Sequence, residues 1–206
     1  MPRMCDHHGH CEHSIEAEDF SISFSLFKYI DLPNLQCLNE CSPGSGKYVF
    51  KPYEDRKTLS PFVESDVDAE LLFNIPFTGS VKLKGVIVAG EDGESHPSLM
   101  RLYKNRPFMT FSDTEGEADQ EIELHPDVQG DIMYPCKVMK FANVHHLSIH
   151  IAKNFGAEQT KIHYIGLRGD FSEAQRQGIV LTNYEVTPNI SDHKADIVNN
   201  TTYFIK

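Results

Sequence analysis

The sequence predicts an all-β fold, a sandwich of jelly-roll type forming one domain with flexible termini, and three observations carry that expectation. Between Phe62 and Glu185 no helical period of 3.6 residues persists over a useful length. Over the same span seven or more short apolar runs are separated by polar turns, with no intervening helices to build βαβ units. The most regular part, Glu70 to Asn105, holds three apolar runs punctuated by turn residues at short intervals, which read as three strands. A chain of 206 residues accommodates one such unit plus tails, and its thirteen Phe and eight Tyr supply large core fillers in the absence of Trp.

Taken in order, residues 1–19 combine charge and imidazole with no apolar period and read as a disordered tail. Cys5, His7, His8, His10, Cys11 and His13 are ligand types that suit Zn²⁺ or Cu⁺, but their spacing fits no structural site, so the expectation is a solvated tail with only adventitious metal affinity. From Phe20 the apolar positions alternate through Leu26, a strand or amphipathic entry piece. Leu32, Leu35 and Leu38 then recur near helical spacing, with Asp31 placed as an N-cap and Pro33 near the first helical position. Ser42 to Lys47, SPGSGK, is read as a flexible loop. It imitates a phosphate loop, but Cys41 and Tyr48 stand where that pattern needs Gly and Ser/Thr. Cys37 and Cys41 are three residues apart rather than two, so a thioredoxin-type pair is not expected. Glu64, Asp66 and Asp68 alternate like a Ca²⁺ loop without its turn Gly or distal Glu, leaving a solvated acidic loop that also offers a docking surface to a basic partner.

Leu71, Phe73 and Ile75 share one face of the next strand, which Pro76 is expected to close because it cannot donate to a ladder; Thr78-Gly79-Ser80 reads as a turn. Val81 and Leu83 alternate with Lys82 and Lys84, and Val86-Ile87-Val88 is apolar on both faces, so this strand lies centrally with a bulge at Gly85. After the acidic loop Gly90 to Pro97, strands are expected at Ser98 to Asn105, Met109 to Phe111 and Gln120 to Leu124. In Phe141 to Lys153, Leu147, Ile149 and Ile151 face one way while His146, Ser148 and His150 face the other. Residues four apart in a strand stand about 13 Å apart, so His146 and His150 cannot share a metal and read as surface or satisfied core histidines. Thr160 to Gly166 and Ile179 to Glu185 are the last strands, with a loop around Arg168-Gly169-Asp170 between them; residues 191–206 form a polar C-terminal tail ending in the apolar Tyr203-Phe204-Ile205.

The net charge of −11, from 30 acids against 19 Lys and Arg, argues against a nucleic-acid partner and for a basic protein surface. No apolar run reaches about 18 residues, and the polar start lacks a leader, so the expectations are no membrane span and a place in the cytoplasm and nucleus. Five irregularly spaced cysteines suit a reducing compartment, where the sequons at Asn189, Asn199 and Asn200 go unused.

Three long segments, LLFNIPFTGSVKLKGVIV (71–88), HPSLMRLYKNRPFMTFSD (96–113) and FANVHHLSIHIAKNFGAEQTKIHYIGLRGD (141–170), resemble the PITH domain family, and the resemblance covers about residues 20–190. It implies a galactose-binding-like β-sandwich, association with the regulatory particle of the 26S proteasome, and no cofactor. Members fused behind a thioredoxin domain carry Cys-x-x-Cys; none precedes the module here. Matching positions such as Phe73, Ile75, Pro76, Phe141, Asn154 and Gly166 read as core and turn residues rather than a contact surface. The expected function is therefore a non-enzymatic protein-binding module, with Glu64, Asp66, Asp68, Tyr203, Phe204 and Ile205 as binding residues. The alternative is a small-ligand or carbohydrate-binding sandwich, in which loop tyrosines would have to replace the missing Trp. No G-x-S-x-G, H-E-x-x-H or Walker loop supports an enzyme, and only a dyad assembled in space, with His163 as its histidine, stays open.

Overall fold

A computed structural model describes residues 24–173. Their regular structure consists of eight strands, all paired antiparallel, joined by loops and short 3₁₀ turns: β1 Gln36–Leu38, β2 Val63–Glu64, β3 Leu71–Gly90, β4 Pro97–Lys104, β5 Gln120–Glu123, β6 Met133–Pro135, β7 Val144–Asn154 and β8 Lys161–Ser172. No helix among these residues is long and apolar enough to cross a membrane.

The twenty residues of β3 organise the two layers. Its first part pairs with β1 (Cys37↔Phe73) and with β7 (Leu71↔Ile151 to Pro76↔His146), and β4 and β5 extend that layer outward from β7. Its second part pairs with β8 (Ser80↔Ser172 to Gly90↔Ile162) and β6, and β2 completes that layer on the far side of β8. The strand changes partner across Pro76 to Val81, where the register with β7 shifts. Alternation places Phe73, Ile75, Leu83, Leu147, Ile149, Ile151, Ile162 and Ile165 in one buried cluster between the layers.

Several local expectations change in this setting. Pro76 does not end a strand and Thr78-Gly79-Ser80 is no turn, because the register shift lets the chain continue through both. The bulge expected at Gly85 is present against β8. The helical turn expected after Asp31 is present as a 3₁₀ turn, Leu32–Asn34, with Asp31 at its N-cap position and Pro33 at its start; Asp31 accepts the Asn34 Nδ2–H at 2.8 Å rather than a backbone N–H, and Leu35 and Leu38 lie beyond the turn, Leu38 in β1. Phe20 to Ser23 lie outside the described residues, and the alternating entry piece continues beyond them only as a bridge from Ser25 to Arg168. Met109 to Phe111 is not a strand, since Thr110 and Asp113 form a capping box that starts the 3₁₀ turn Phe111–Glu115. Arg168-Gly169-Asp170 is not a loop but the middle of β8. Gly169 is needed there: a Cβ would lie 2.2 Å from the carbonyl oxygen of Lys82 on the paired strand.

The Ser42–Lys47 segment is anchored rather than flexible. The Glu40 carboxylate accepts the backbone N–H groups of Gly44 and Gly46, the latter at 2.7 Å, so the chain's own side chain fills the place an anion would take. The N-terminal Cys/His cluster, the Ile179 to Glu185 strand and Tyr203-Phe204-Ile205 lie outside the described residues.

Candidate docking surface

At the end of the sandwich where β3 finishes and β4 and β8 begin, four loops are tied together by hydrogen bonds. Residues 65–70 are held against the turn before β8: Ser65 N–H donates to Thr160 O at 3.0 Å, Thr160 N–H to Ser65 Oγ at 2.8 Å, and Thr160 Oγ1–H to Ala69 O at 2.6 Å. On the other side of that turn, Glu91 N–H donates to Lys161 O and Lys161 N–H to Ser95 O, which joins the 91–96 loop; Phe155 N–H reaches Glu94 O at 3.1 Å. The 125–132 loop closes the group through Asp127, a buried carboxylate that accepts the N–H groups of Gln129, Gly130 and Ile132. His96, fully buried, receives Asp127 N–H on Nε2 at 2.9 Å and bonds Pro97 O through Nδ1, which fixes its proton on Nδ1.

Between these loops lies a cleft of about 370 Å³ with Leu59, Phe62 and Val128 on its walls and Glu91, Asp92 and Lys161 at its rim. Leu59 is 58% and Phe62 39% exposed, although both are large and apolar. The Lys161 ammonium stands 4.4 Å from the centre of the Phe62 ring and 3.4 Å from the Glu91 carboxylate, so one cation is shared between ring and acid. His163 also lines the cleft, but Nε2 is bonded to Val128 O at 2.8 Å and burial holds the imidazole below its ordinary pKa. It is therefore neutral near pH 7 and tied to backbone rather than paired with a nucleophile.

None of the acidic residues singled out in the sequence lines this cleft, and their roles are unequal. Glu64 is half-buried in β2, opposite Lys161 in the ladder. Asp68 is committed to the fold, because its Oδ1 accepts Asn39 Nδ2–H at 2.8 Å and Glu70 N–H at 2.9 Å. Asp66 leaves its carboxylate exposed while its backbone N–H donates to Asn39 O at 3.0 Å. Asn39 thus holds the loop: its φ is +66°, its Nδ2 also donates to Glu70 O at 2.7 Å, and its Oδ1 accepts Val67 N–H at 3.1 Å. Tyr203, Phe204 and Ile205 lie outside the described residues.

Sequence reasoning missed Leu59, Phe62 and Asn39. Leu59 and Phe62 flank Ser60-Pro61 in a stretch with no period, and Asn39 acts on a loop 27 or more positions away, so neither leaves a local signature. Asp127 was legible in principle, as an Asp followed at short distance by Gly in a turn.

No His, Cys, Asp or Glu group with metal-site geometry occurs among the described residues. The thiols are far from reactive: burial pushes buried Cys136 up to about 12, and burial and the Glu40 carboxylate raise half-buried Cys37 well above the ordinary thiol value.

The sequence matches the PITH domain family over residues 16–188. It is 53% identical to PITH domain-containing protein 1 of Mus musculus over 208 aligned positions, covering 96% of this chain and 99% of the mouse protein. It is 51% identical to PITH domain-containing protein CG6153 of Drosophila melanogaster, with 94% of each chain covered, and 41% identical to PITH domain-containing protein 1 of Dictyostelium discoideum, with 97% and 96% covered. Among solved structures, the CBM32-1 and CBM32-2 domains of Clostridium perfringens ZmpB in complex with GalNAc superpose with a TM-score of 0.58 at 7% identity, over 76% of this chain and 39% of that one. This likeness places the fold among galactose-binding-like sandwiches.

Proposed function

We propose, from the premise that this chain belongs to the PITH domain family, that it is a non-enzymatic protein-binding module that associates with the regulatory particle of the 26S proteasome in the cytoplasm and nucleus. The observation that carries the reading is the loop-end cleft, where exposed Leu59 and Phe62 share the lining with the carboxylates of Glu91 and Asp92. An exposed apolar pair at the centre of a charged rim is the pattern of an anchor site in a protein interface. The rim is acidic: Glu91 and Asp92 on it, Asp66 and Glu94 on the flanking loops, with Lys161 already engaged by Glu91. Its complement is a partner segment with an apolar side chain flanked by Lys or Arg. Tyr203-Phe204-Ile205 serves as a second contact in this reading.

The non-enzymatic part rests on the state of the reactive groups. His96 and His163 are bonded to backbone, and burial raises the Cys37 and Cys136 thiols.

Affinity purification of the tagged full-length protein from cell lysate tests the reading, in parallel with a Leu59→Asp/Phe62→Ser variant and a chain ending at Asn200. Regulatory-particle subunits are expected with the parent chain, lost with the double variant and reduced by the truncation. Recovery of none with folded protein at low salt overturns the proteasome assignment, and equal recovery with the double variant overturns the cleft as the contact.

A further inference from the structure

A second site lies where the first part of β3 pairs with β1, and it shares no lining residue with the cleft. Its centre is Phe108, which is 73% exposed and has φ +56°. Bulky residues rarely adopt the left-handed region, and exposed ones gain nothing from core packing that would offset it. The chain around Phe108 forces the conformation. On one side Asn105, φ +53°, donates through Nδ2 to Asn143 O at 2.9 Å and accepts the N–H groups of His145 and His146 on Oδ1. Ser148 Oγ–H donates to Asn74 Oδ1 at 2.8 Å, with Arg106 O a longer contact at 3.2 Å. On the other side, buried Asn74 donates to Met109 O at 2.9 Å, and Met109 packs with Leu72 and Tyr103. The backbone is thus fixed on both sides of an aromatic ring that the fold presents outward.

The ring stands at a groove of about 540 Å³, a size that holds a small ligand, with Pro76 and Phe77 contributing apolar surface. Its polar lining is Asp31, Asn34, Gln36, Lys47, His146 and Asn74, the last bonded within the fold to Met109 O and Ser148 Oγ. Much of the hydrogen-bonding capacity there is unused within the described residues. The Gln36 amide and the His146 imidazole make no side-chain hydrogen bond, Asn34 uses only its Nδ2 on Asp31, and Lys47 gives one donor to Pro33 O at 2.8 Å. Asp31 and Lys47 balance in charge, so the groove favours a neutral ligand that both donates and accepts.

We propose that this groove binds a saccharide, with the apolar face of one neutral pyranose ring stacked on Phe108 and its hydroxyls paired with Gln36, His146, Asn34 and Lys47. An aromatic face beside amide, carboxylate and imidazole groups matches a ring whose two faces are apolar and whose rim is all hydroxyl. A fixed aromatic needs no ordering on binding, which is the advantage of holding Phe108 in a rare backbone conformation.

The test is a titration of the full chain, followed by amide NMR and saturation transfer, with the methyl glycosides of glucose, galactose, mannose and N-acetylglucosamine. At least one is expected to give saturable shifts at Gln36, Lys47 and Phe108, with Kd of about 1–10 mM. Phe108→Ala is expected to weaken it at least tenfold and Phe108→Tyr to retain it; the exposed position leaves both variants folded. No saturable response to any glycoside, a response unchanged in Phe108→Ala, or saturable shifts from a proline-rich peptide alone overturns the proposal. Leu59→Asp/Phe62→Ser leaves the glycoside response intact, so this site and the proteasome contact stand or fall separately.

Discussion

Replacing Asn39 separates two contributions that this residue makes to the acidic loop. Its side chain donates to Asp68 Oδ1 and Glu70 O and accepts Val67 N–H, and its backbone sits at φ +66°. Asn39→Gly removes the hydrogen bonds and keeps the backbone unstrained; Asn39→Ala removes the same bonds and leaves a Cβ in the left-handed region without the polar side chain that lets Asn tolerate it. A hydrogen bond contributes about 0.5–1.5 kcal/mol net, and the bonds to Asp68 and Val67 are exposed whereas that to Glu70 O is part-buried, so the lower part of the range applies to the exposed ones. Asn39→Gly is therefore expected to cost about 2 kcal/mol, and Asn39→Ala about 1 kcal/mol more from the left-handed backbone. In a domain of this size each kcal/mol lowers Tm by about 2–4 °C. Urea and thermal unfolding measure both, and hydrogen exchange at Val67 and Glu70 shows whether the loss is local. Equal stability of the Gly and Ala variants, or a loss below about 0.5 kcal/mol in both, refutes the assignment of Asn39 as the organiser of the loop. Under the docking proposal, both variants also weaken capture of regulatory-particle subunits, because the acidic loop that carries Asp66 is no longer fixed.

Phe108→Gly relieves about 1–2 kcal/mol of backbone strain against about 0.5–1 kcal/mol of added chain entropy, so a small rise in Tm is expected, and a fall would show that the ring contributes packing the exposed surface does not reveal. Gly169→Ala forces a Cβ to 2.2 Å from Lys82 O in the paired strand; a loss of about 3 kcal/mol, the upper end of the usual cost of overpacking, is expected by urea unfolding, and a near-neutral result would mean β3 and β8 can separate there. Burial is the main cause that holds His150 and His163 below the ordinary histidine value of 6.5. The unfolded chain then binds more protons than the folded one, so stability is complete above about pH 6.5 and falls as the pH drops below it. A plot of unfolding free energy against pH checks the sign, and His163→Gln is expected to flatten it; stability that rises on acidification would contradict both burial assignments.

The strands with sustained alternation were legible. The periods in Ser98 to Asn105, Gln120 to Leu124 and Phe141 to Lys153 correspond to β4, β5 and β7, and the interruption after Lys84 marked the bulge at Gly85. What failed was punctuation. Pro76 and Gly79 are strong local stop signals, yet β3 passes through both because it is exchanging β7 for β8 at that point and the register slips. Strands of two or three residues, such as β1, β2 and β6, are too short to show a period at all. The lining of the candidate site was not legible in the sequence. Glu64, Asp66 and Asp68 stood out by alternation, whereas the apolar pair Leu59 and Phe62 gains meaning only when the 91–96 and 125–132 loops close around it. Phe108 is invisible as a presented aromatic until Asn105 and Asn74 are seen to pin its backbone.

The passage of β3 from one layer into the other also bears on how the domain opens. In a sandwich whose sheets share no strand, one sheet can fray while the other persists. Here the ladders of β7 and β8 are both anchored on the same twenty residues, so releasing either one strips a flank from the segment that supports the other. Partial opening is thereby confined to the short strands at the margins, β1, β2, β5 and β6, and the amides of central β3 exchange with solvent only when the whole molecule unfolds. The same arrangement makes most contacts distant in sequence, since neither half of β3 has its full set of partners until both β7 and β8 have been made, and it sets the domain among slow folders with high contact order.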